Sequence, residues 1–128
     1  MITKTENSVN VPLQDTYWKL TELMGQPIKS SGNETRQAFL KFDNVQKRIS
    51  GNSGCNSFGG SYHLQDTAYI SFGPLLSTKM YCNDVPYESL FFDVLSKCDN
   101  YNITSNTLVL RNGKMDSTVK FVADTITK

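Results

Sequence analysis

Apolar and polar residues alternate along several short stretches of the chain, which is the pattern of β-strands with one buried face. Strands are predicted at residues 15–23, 38–42, 45–50, 58–64, 68–72, 101–104, 107–110 and 118–122. In the first two of these strands the residues expected to face the core are Trp18, Leu20, Ala38, Leu40 and Phe42. Glu22 falls on the same face as Trp18 and Leu20, because side chains two residues apart share a face in a strand.

One segment has helical periodicity instead. Asp84 can cap a helix, Pro86 suits its first turn, and the helix is expected to stop near residue 98. Its apolar stripe consists of Leu90, Phe91, Val94, Leu95 and Cys98. Phe92 lies off this stripe and is predicted to be an exposed contact.

This order of elements predicts an α+β fold, in which a curled antiparallel β-sheet packs around a single α-helix. Antiparallel hairpins join neighbouring strands, and a helix buries its apolar face most simply against a sheet. We therefore expect a partly open barrel. The aromatic side chains expected to lie mostly in its core are Trp18, Phe42, Phe58, Tyr69, Phe72 and Phe91.

The most unusual stretch is residues 51–62, which contain four glycines. Glycine is used where the backbone needs positive φ or another group must come close, so a tight turn between two strands is expected. A phosphate-binding loop would need a lysine followed by Ser or Thr after its second spaced glycine, and this stretch has no such pair there. A dinucleotide-binding loop would need a following helix, whereas residues 63–66 indicate the approach to a turn.

Composition excludes several classes of function. The chain has 128 residues and a net charge of +1, which fits one domain and gives no reason to expect nucleic-acid binding. No apolar run approaches the ~20 residues of a membrane span. Residues 1–14 have little apolar pattern and are predicted to be a flexible lead or tether without a signal peptide, ahead of a domain at 15–128.

Candidate catalytic and metal-binding residues are few. The chain has one histidine and no Cys-x-x-Cys motif, so neither a zinc site nor another cofactor is expected. A cysteine nucleophile would need His63 as its base, and nothing in the sequence orients that pair. We therefore predict a protein that is not an enzyme, with a thiol redox protein as the less favoured alternative.

The chain resembles the META domain, the family of the bacterial heat-shock protein HslJ, over residues 15–123. The matching signature positions are Trp18, Gly51, Gly54, Cys55, Asn56, Phe58, Gly60, Tyr62, Thr78, Met80 and Cys82. The sequence departs from the family at Tyr81, where a small residue is usual.

The resemblance implies a small domain in the bacterial cell envelope, facing the periplasm and often lipid-anchored, linked to heat shock and stress. No established reaction accompanies the family. A monomer is expected, with a hydrophobic small molecule or an envelope protein as its partner; the alternative is a purely structural or interaction domain without a ligand.

The resemblance also makes Cys55 and Cys82 a candidate disulfide, because envelope compartments are oxidising. Closing that loop would stabilise the fold by roughly 3–4 kcal/mol. The alternative is two buried free thiols, while Cys98 is expected to be inert core. Asn56 and Thr78 either line a binding surface or bond to the backbone of turns, which is their common habit.

Overall fold

The computed structural model describes residues 11–28, 38–66, 68–79, 87–113 and 117–123. The strands are β1 Trp18–Leu23, β2 Gln26–Pro27, β3 Phe39–Asp43, β4 Arg48–Asn52, β5 Ser57–Gln65, β6 Tyr69–Phe72, β7 Leu76–Ser77, β8 Asn100–Thr104, β9 Thr107–Asn112 and β10 Ser117–Ala123. A helix, α1, spans Glu88–Ser96. These elements agree with the predicted α+β class.

Eight of the strands form a closed antiparallel barrel. Around the barrel they follow the order β1, β3, β4, β5, β6, β8, β9 and β10, and β10 pairs with β1 from Trp18↔Ala123 to Leu23↔Val119. The prediction of a partly open barrel is therefore wrong in this detail. The closing strands lie at the two ends of the described chain, and periodicity within a strand says nothing about a pairing over that distance.

Strand β1 contains a β-bulge that changes which side chains face the core. Its register against β10 shifts between Leu20 and Glu22. Leu23 is consequently buried, whereas Glu22 is half-buried and forms an ion pair with Lys120, with 3.6 Å between Nζ and Oε2. The assignment of Glu22 to the core face is corrected, because a bulge breaks the two-residue alternation.

The interior is lined by alternate residues of the strands, as predicted for the first two. The predicted inward residues Trp18, Leu20, Ala38, Leu40 and Phe42 are all buried. Each large apolar side chain of this kind stabilises the fold by about 1.5–3 kcal/mol through burial. Strand β4 begins later than predicted, since Val45 lies in the preceding turn and is exposed.

Helix α1 closes one end of the barrel. The ring of Phe91, on this helix, lies between the rings of Phe58 on β5 and Phe121 on β10. Its centroid is 6.0 Å from that of Phe58 and 6.2 Å from that of Phe121. Because β5 and β10 are on opposite sides of the eight-stranded barrel, Phe91 bridges the interior. The helix was predicted correctly, but its predicted start at Asp84 and Pro86 lies outside the described residues.

Three side chains differ from their predicted burial. Leu90 is exposed, because the buried face of α1 is formed by Phe91, Val94 and Leu95. Phe92 is half-buried and packs edge-to-face on Phe58 at 5.1 Å. Tyr69 is 56% exposed, since the alternation in β6 turns Ile70 inward.

The opposite end of the barrel is covered by residues 11–15, which we call the N-terminal strap. Leu13 is buried there in the core, although residues 11–14 had been assigned to the lead. We call the end of the barrel that this segment covers the strap end. The end that contains α1 and the turn between β4 and β5 is the helix end.

Candidate functional site

The candidate site is built on the turn that joins β4 to β5 at the helix end. The amide N–H of Ser53 donates to the Asn56 carbonyl at 2.9 Å, which closes the turn. Gly54 has φ +100°, a conformation that L side chains rarely adopt, and its N–H donates to Asn52 Oδ1 at 2.8 Å. The glycine stretch therefore forms a tight turn between strands, as predicted.

Gly51 allows the strands beside this turn to approach closely. A Cβ atom at this position would lie 2.7 Å from Cζ of Phe58 and would also collide with the Phe39 carbonyl oxygen. The backbone of β3 and the Phe58 ring occupy that space instead. Glycine at this signature position is thus explained by packing.

The turn is fastened to helix α1 by one carboxylate. Oε2 of Glu88 accepts hydrogen bonds from Nδ2 of Asn56 at 2.8 Å, from the Asn56 amide at 3.1 Å and from the Ser53 hydroxyl. Ser53 and Asn56 are both buried, so these bonds satisfy polar groups that water does not reach. Burial, followed by the charge of Glu88, raises the pKa of the adjacent Tyr87.

Thr78, just after β7, joins the same cluster. Its hydroxyl donates to Oδ1 of Asn56 at 2.7 Å and accepts from the Ser57 amide at 3.2 Å, while its own amide donates to the Ser57 carbonyl. We call Ser53, Asn56, Thr78 and Glu88 the turn–helix cluster. Asn56 points into this cluster and not to solvent, so its described contacts fit a structural role better than a binding surface.

Glu88 was missed by the sequence analysis. A glutamate in the first turn of a helix is ordinarily explained by the helix dipole alone. Its partners Ser53 and Asn56 lie more than thirty positions earlier. The available signal was two small polar residues inside an otherwise glycine-rich turn, which need an acceptor once that turn is buried.

The cysteines are placed differently from one another. Cys55 lies in the turn and is disulfide-bonded, whereas Cys98 is a free, buried thiol after α1. Cys82 and Met80 lie outside the described residues, so the Cys55–Cys82 pairing stays a prediction. Burial, with a smaller effect of Asp99, raises the pKa of Cys98 to about 12.

The remaining signature residues are spread through the barrel. Phe58 and Gly60 lie on β5 near the helix end, where a Cβ on Gly60 would come within 2.9 Å of the Leu75 side chain. Trp18 and Tyr62 lie at the strap end and contact the N-terminal strap. His63 is exposed on β5, whereas Cys55 is buried, so the structure offers no support for a Cys–His pair.

Within the described residues, no cluster of three or more His, Cys, Asp or Glu side chains is placed to bind a metal ion. No helix in the same part of the chain combines the length and apolar character needed to cross a bilayer.

The META domain family model matches residues 11–125. The chain belongs to the META domain family. The match includes the N-terminal strap and the whole barrel, and the resemblance inferred from the signature residues is confirmed at the level of the family.

Solved structures share the fold of this META domain. A protein from Burkholderia xenovorans, determined by NMR, is 25% identical with a TM-score of 0.66, over 88% of this chain and 84% of its own. A second NMR structure is 22% identical with a TM-score of 0.68, over 91% and 95%. A DUF4847 family protein from Bacteroides vulgatus is 14% identical with a TM-score of 0.62, over 86% and 93%. No curated protein matches the chain.

Proposed function

We propose that this META domain is a non-catalytic recognition module of the bacterial cell envelope that binds a protein partner or a hydrophobic ligand on the outer surface of its helix end. The main support is the position of Phe91, whose ring bridges the barrel between Phe58 and Phe121. A barrel that bound a ligand centrally would need that space. Recognition on the outside is compatible with it.

Two exposed leucines at the helix end offer apolar side chains for contact. Leu76 on β7 is 74% exposed and Leu90 on α1 is 45% exposed. Along the chain they flank the turn–helix cluster, since Leu76 precedes Thr78 by two residues and Leu90 follows Glu88 by two. The cluster holds both segments in fixed positions, and a preorganised surface loses less entropy on binding.

The disulfide of Cys55 supports an envelope location. Disulfides persist in oxidising compartments such as the periplasm and are rare in the bacterial cytosol. A role in envelope stress, as the family suggests, fits a small domain that is stabilised in this way.

Thiol chemistry is less well supported than binding. A reactive cysteine needs a lowered pKa and access to solvent. Cys98 has a pKa of about 12 and is buried, so it is a protonated thiol at neutral pH. Cys55 is engaged in a disulfide and has no thiolate while that bond is intact, so redox activity at Cys55 would require a readily reduced bridge.

Site-specific photocrosslinking in the envelope tests the proposal. A photoreactive amino acid replaces Leu76 or Leu90, and Val45, which is 85% exposed in the turn at the strap end, is the matched control position. We expect a discrete crosslinked species from positions 76 and 90 and none from position 45. Native mass spectrometry of the purified protein would report a carried small ligand instead.

With the photoreactive amino acid kept at position 76, Leu90→Ser should weaken the crosslink, while Val45→Ser should leave it unchanged. The double variant Leu76→Ser, Leu90→Ser should lose a carried mass, and Val45→Ser should keep it. A wild-type protein that carries no added mass, and that crosslinks no more from positions 76 and 90 than from 45, would contradict the proposed function.

A further inference from the structure

The N-terminal strap occupies a groove at the strap end, on the opposite side of the barrel from the surface proposed above. Leu13 is its anchor and is almost completely buried, and Val11 packs against the edge of the core. Beneath the strap the rings of Phe42 and Tyr62 meet edge-to-face at 5.1 Å. The floor of the groove is thus aromatic and fixed by the barrel.

Polar groups of the barrel bind residues 11–14 of the strap at three points. The Trp18 indole N–H donates to the Leu13 carbonyl, the Val11 amide donates to the Ser105 carbonyl, and Gln14 Nε2 donates to the Tyr62 hydroxyl, each at 2.9 Å. Two of these three contacts use the backbone of the strap. Any extended peptide offers such groups, and recognition of this kind takes its specificity from side-chain pockets.

The strap differs from the barrel strands in having no strand pairing. Strand β1 pairs with both β3 and β10, whereas residues 11–14 form part of no strand. At the last residue of the strap, the Asp15 amide donates to the Phe42 carbonyl at 2.7 Å, the Asp15 carboxylate accepts from the Asn44 amide at 3.3 Å, and Asp15 has φ 63°. Opening of residues 11–14 would therefore break no strand pairing of β1.

We propose that the strap is an intramolecular ligand, which covers a docking groove for a short peptide of a partner protein that turns as residues 13–15 do and carries a leucine-sized anchor. The chemistry of the occupant follows from the segment that fills the groove. It needs an apolar side chain in the Leu13 position, a backbone carbonyl for the Trp18 indole and a backbone amide for Ser105. The inference rests on contacts at the strap end and is independent of the proposed helix-end surface.

Trp18 reports directly on the strap, because it is the only tryptophan in the chain and its indole bonds to Leu13. The full-length variant Leu13→Asp places a charge on the anchor and should release the strap. We expect red-shifted Trp18 emission and at least a twofold increase in acrylamide quenching. Val45→Asp adds the same charge at an exposed position of the same end and should leave the emission unchanged.

A synthetic peptide with the sequence of residues 9–16 contains no aromatic residue and therefore adds no emission of its own. Added to Leu13→Asp, it should restore the blue-shifted emission in a saturable way, and the same peptide carrying Leu13→Asp should not. A folded variant whose emission does not respond to the peptide would overturn the proposal. Restoration by an apolar dye but not by the peptide would overturn it as well.

A measurement on the wild-type protein applies even if Leu13→Asp fails to fold. Trp18 emission should shift at a lower urea concentration than the far-UV circular dichroism of the barrel, because the strap opens first. Coincident transitions would show that the strap and the barrel unfold together, which would overturn a displaceable strap.

Discussion

The two ends of the barrel are closed by different kinds of contact. At the helix end, Phe91 reaches both walls, Glu88 binds a buried turn and Cys55 carries a disulfide. At the strap end, one buried leucine and a few hydrogen bonds do the same task, and the bond to the Asp15 carboxylate is a long one of 3.3 Å from the Asn44 amide. We infer that the signature residues of the glycine turn belong to the more firmly held end of the barrel. The contacts that close the strap end should open at a lower free-energy cost.

The largest expected effect comes from removing the ring that bridges the interior. Phe91→Ala should lower the free energy of unfolding by about 3–5 kcal/mol, because it leaves a cavity between the two walls. Phe92→Ala is the matched control and should cost clearly less. Phe92 is half-buried, and its described ring contact with the barrel strands is with Phe58 on β5 and not with the opposite wall. Urea denaturation measures both; equal losses would contradict the bridging role of Phe91.

The disulfide gives the next largest effect. Cys55→Ser should destabilise the protein by about 3–4 kcal/mol, because the unfolded chain gains the freedom of an open loop. Denaturing mass spectrometry should show a gain of two hydrogens on reduction, and peptide mapping should place the bridge between Cys55 and Cys82. No mass gain, or a bridge to Cys98, would refute this pairing.

The turn–helix cluster should contribute somewhat less. Glu88→Ala should cost about 2–3 kcal/mol, because the Asn56 side-chain amide loses a charged acceptor at 2.8 Å, while the Ser53 hydroxyl and the Asn56 backbone amide are left with longer bonds to each other's residue at 3.2 and 3.3 Å. Glu88→Gln keeps an acceptor oxygen and should cost less, and Asp93→Ala, an exposed carboxylate on the same helix, should cost under about 0.5 kcal/mol. The counterpart at the strap end, Gln14→Ala, should cost about 1 kcal/mol or less. Thermal or urea denaturation that ranks Gln14 above Glu88 would reverse the comparison.

Some of the features behind these predictions could be predicted from the sequence, and others could not. Alternation identified the inward faces of β1 and β3, and glycine spacing identified the tight turn, because both are set by residues close together in the chain. Closure by β10 and the partners of Glu88 depend on residues brought together only by the fold. The bulge in β1 moved Glu22 off the core face, since one extra residue reverses the alternation.

A pH dependence of stability is also expected at the helix end. In the unfolded chain the Cys98 thiol ionises near its usual pKa of 9.0, but in the folded protein burial raises its pKa to about 12. Between these values the folded state retains a proton that the unfolded state has lost. The contribution of Cys98 to stability should therefore fall as the pH rises above 9, by up to about 1.4 kcal/mol per pH unit, and should not change below it.

Urea denaturation between pH 8 and pH 11 measures this slope. The variant Cys98→Ala removes the thiol and should have a shallower decline than the wild-type protein, although its stability at pH 7 is lower. Parallel curves for the two proteins would show that Cys98 is not protected as its burial indicates.

Native-state hydrogen exchange followed by NMR tests the inequality of the two ends most directly. We expect the Val11 amide and the Trp18 indole to exchange through a local opening that is independent of low denaturant concentrations, while the amides of Asn56 and Phe91 exchange only with global unfolding. Protection of Val11 and Trp18 equal to that of Asn56 and Phe91 would contradict the conclusion that the strap end is the weaker closure.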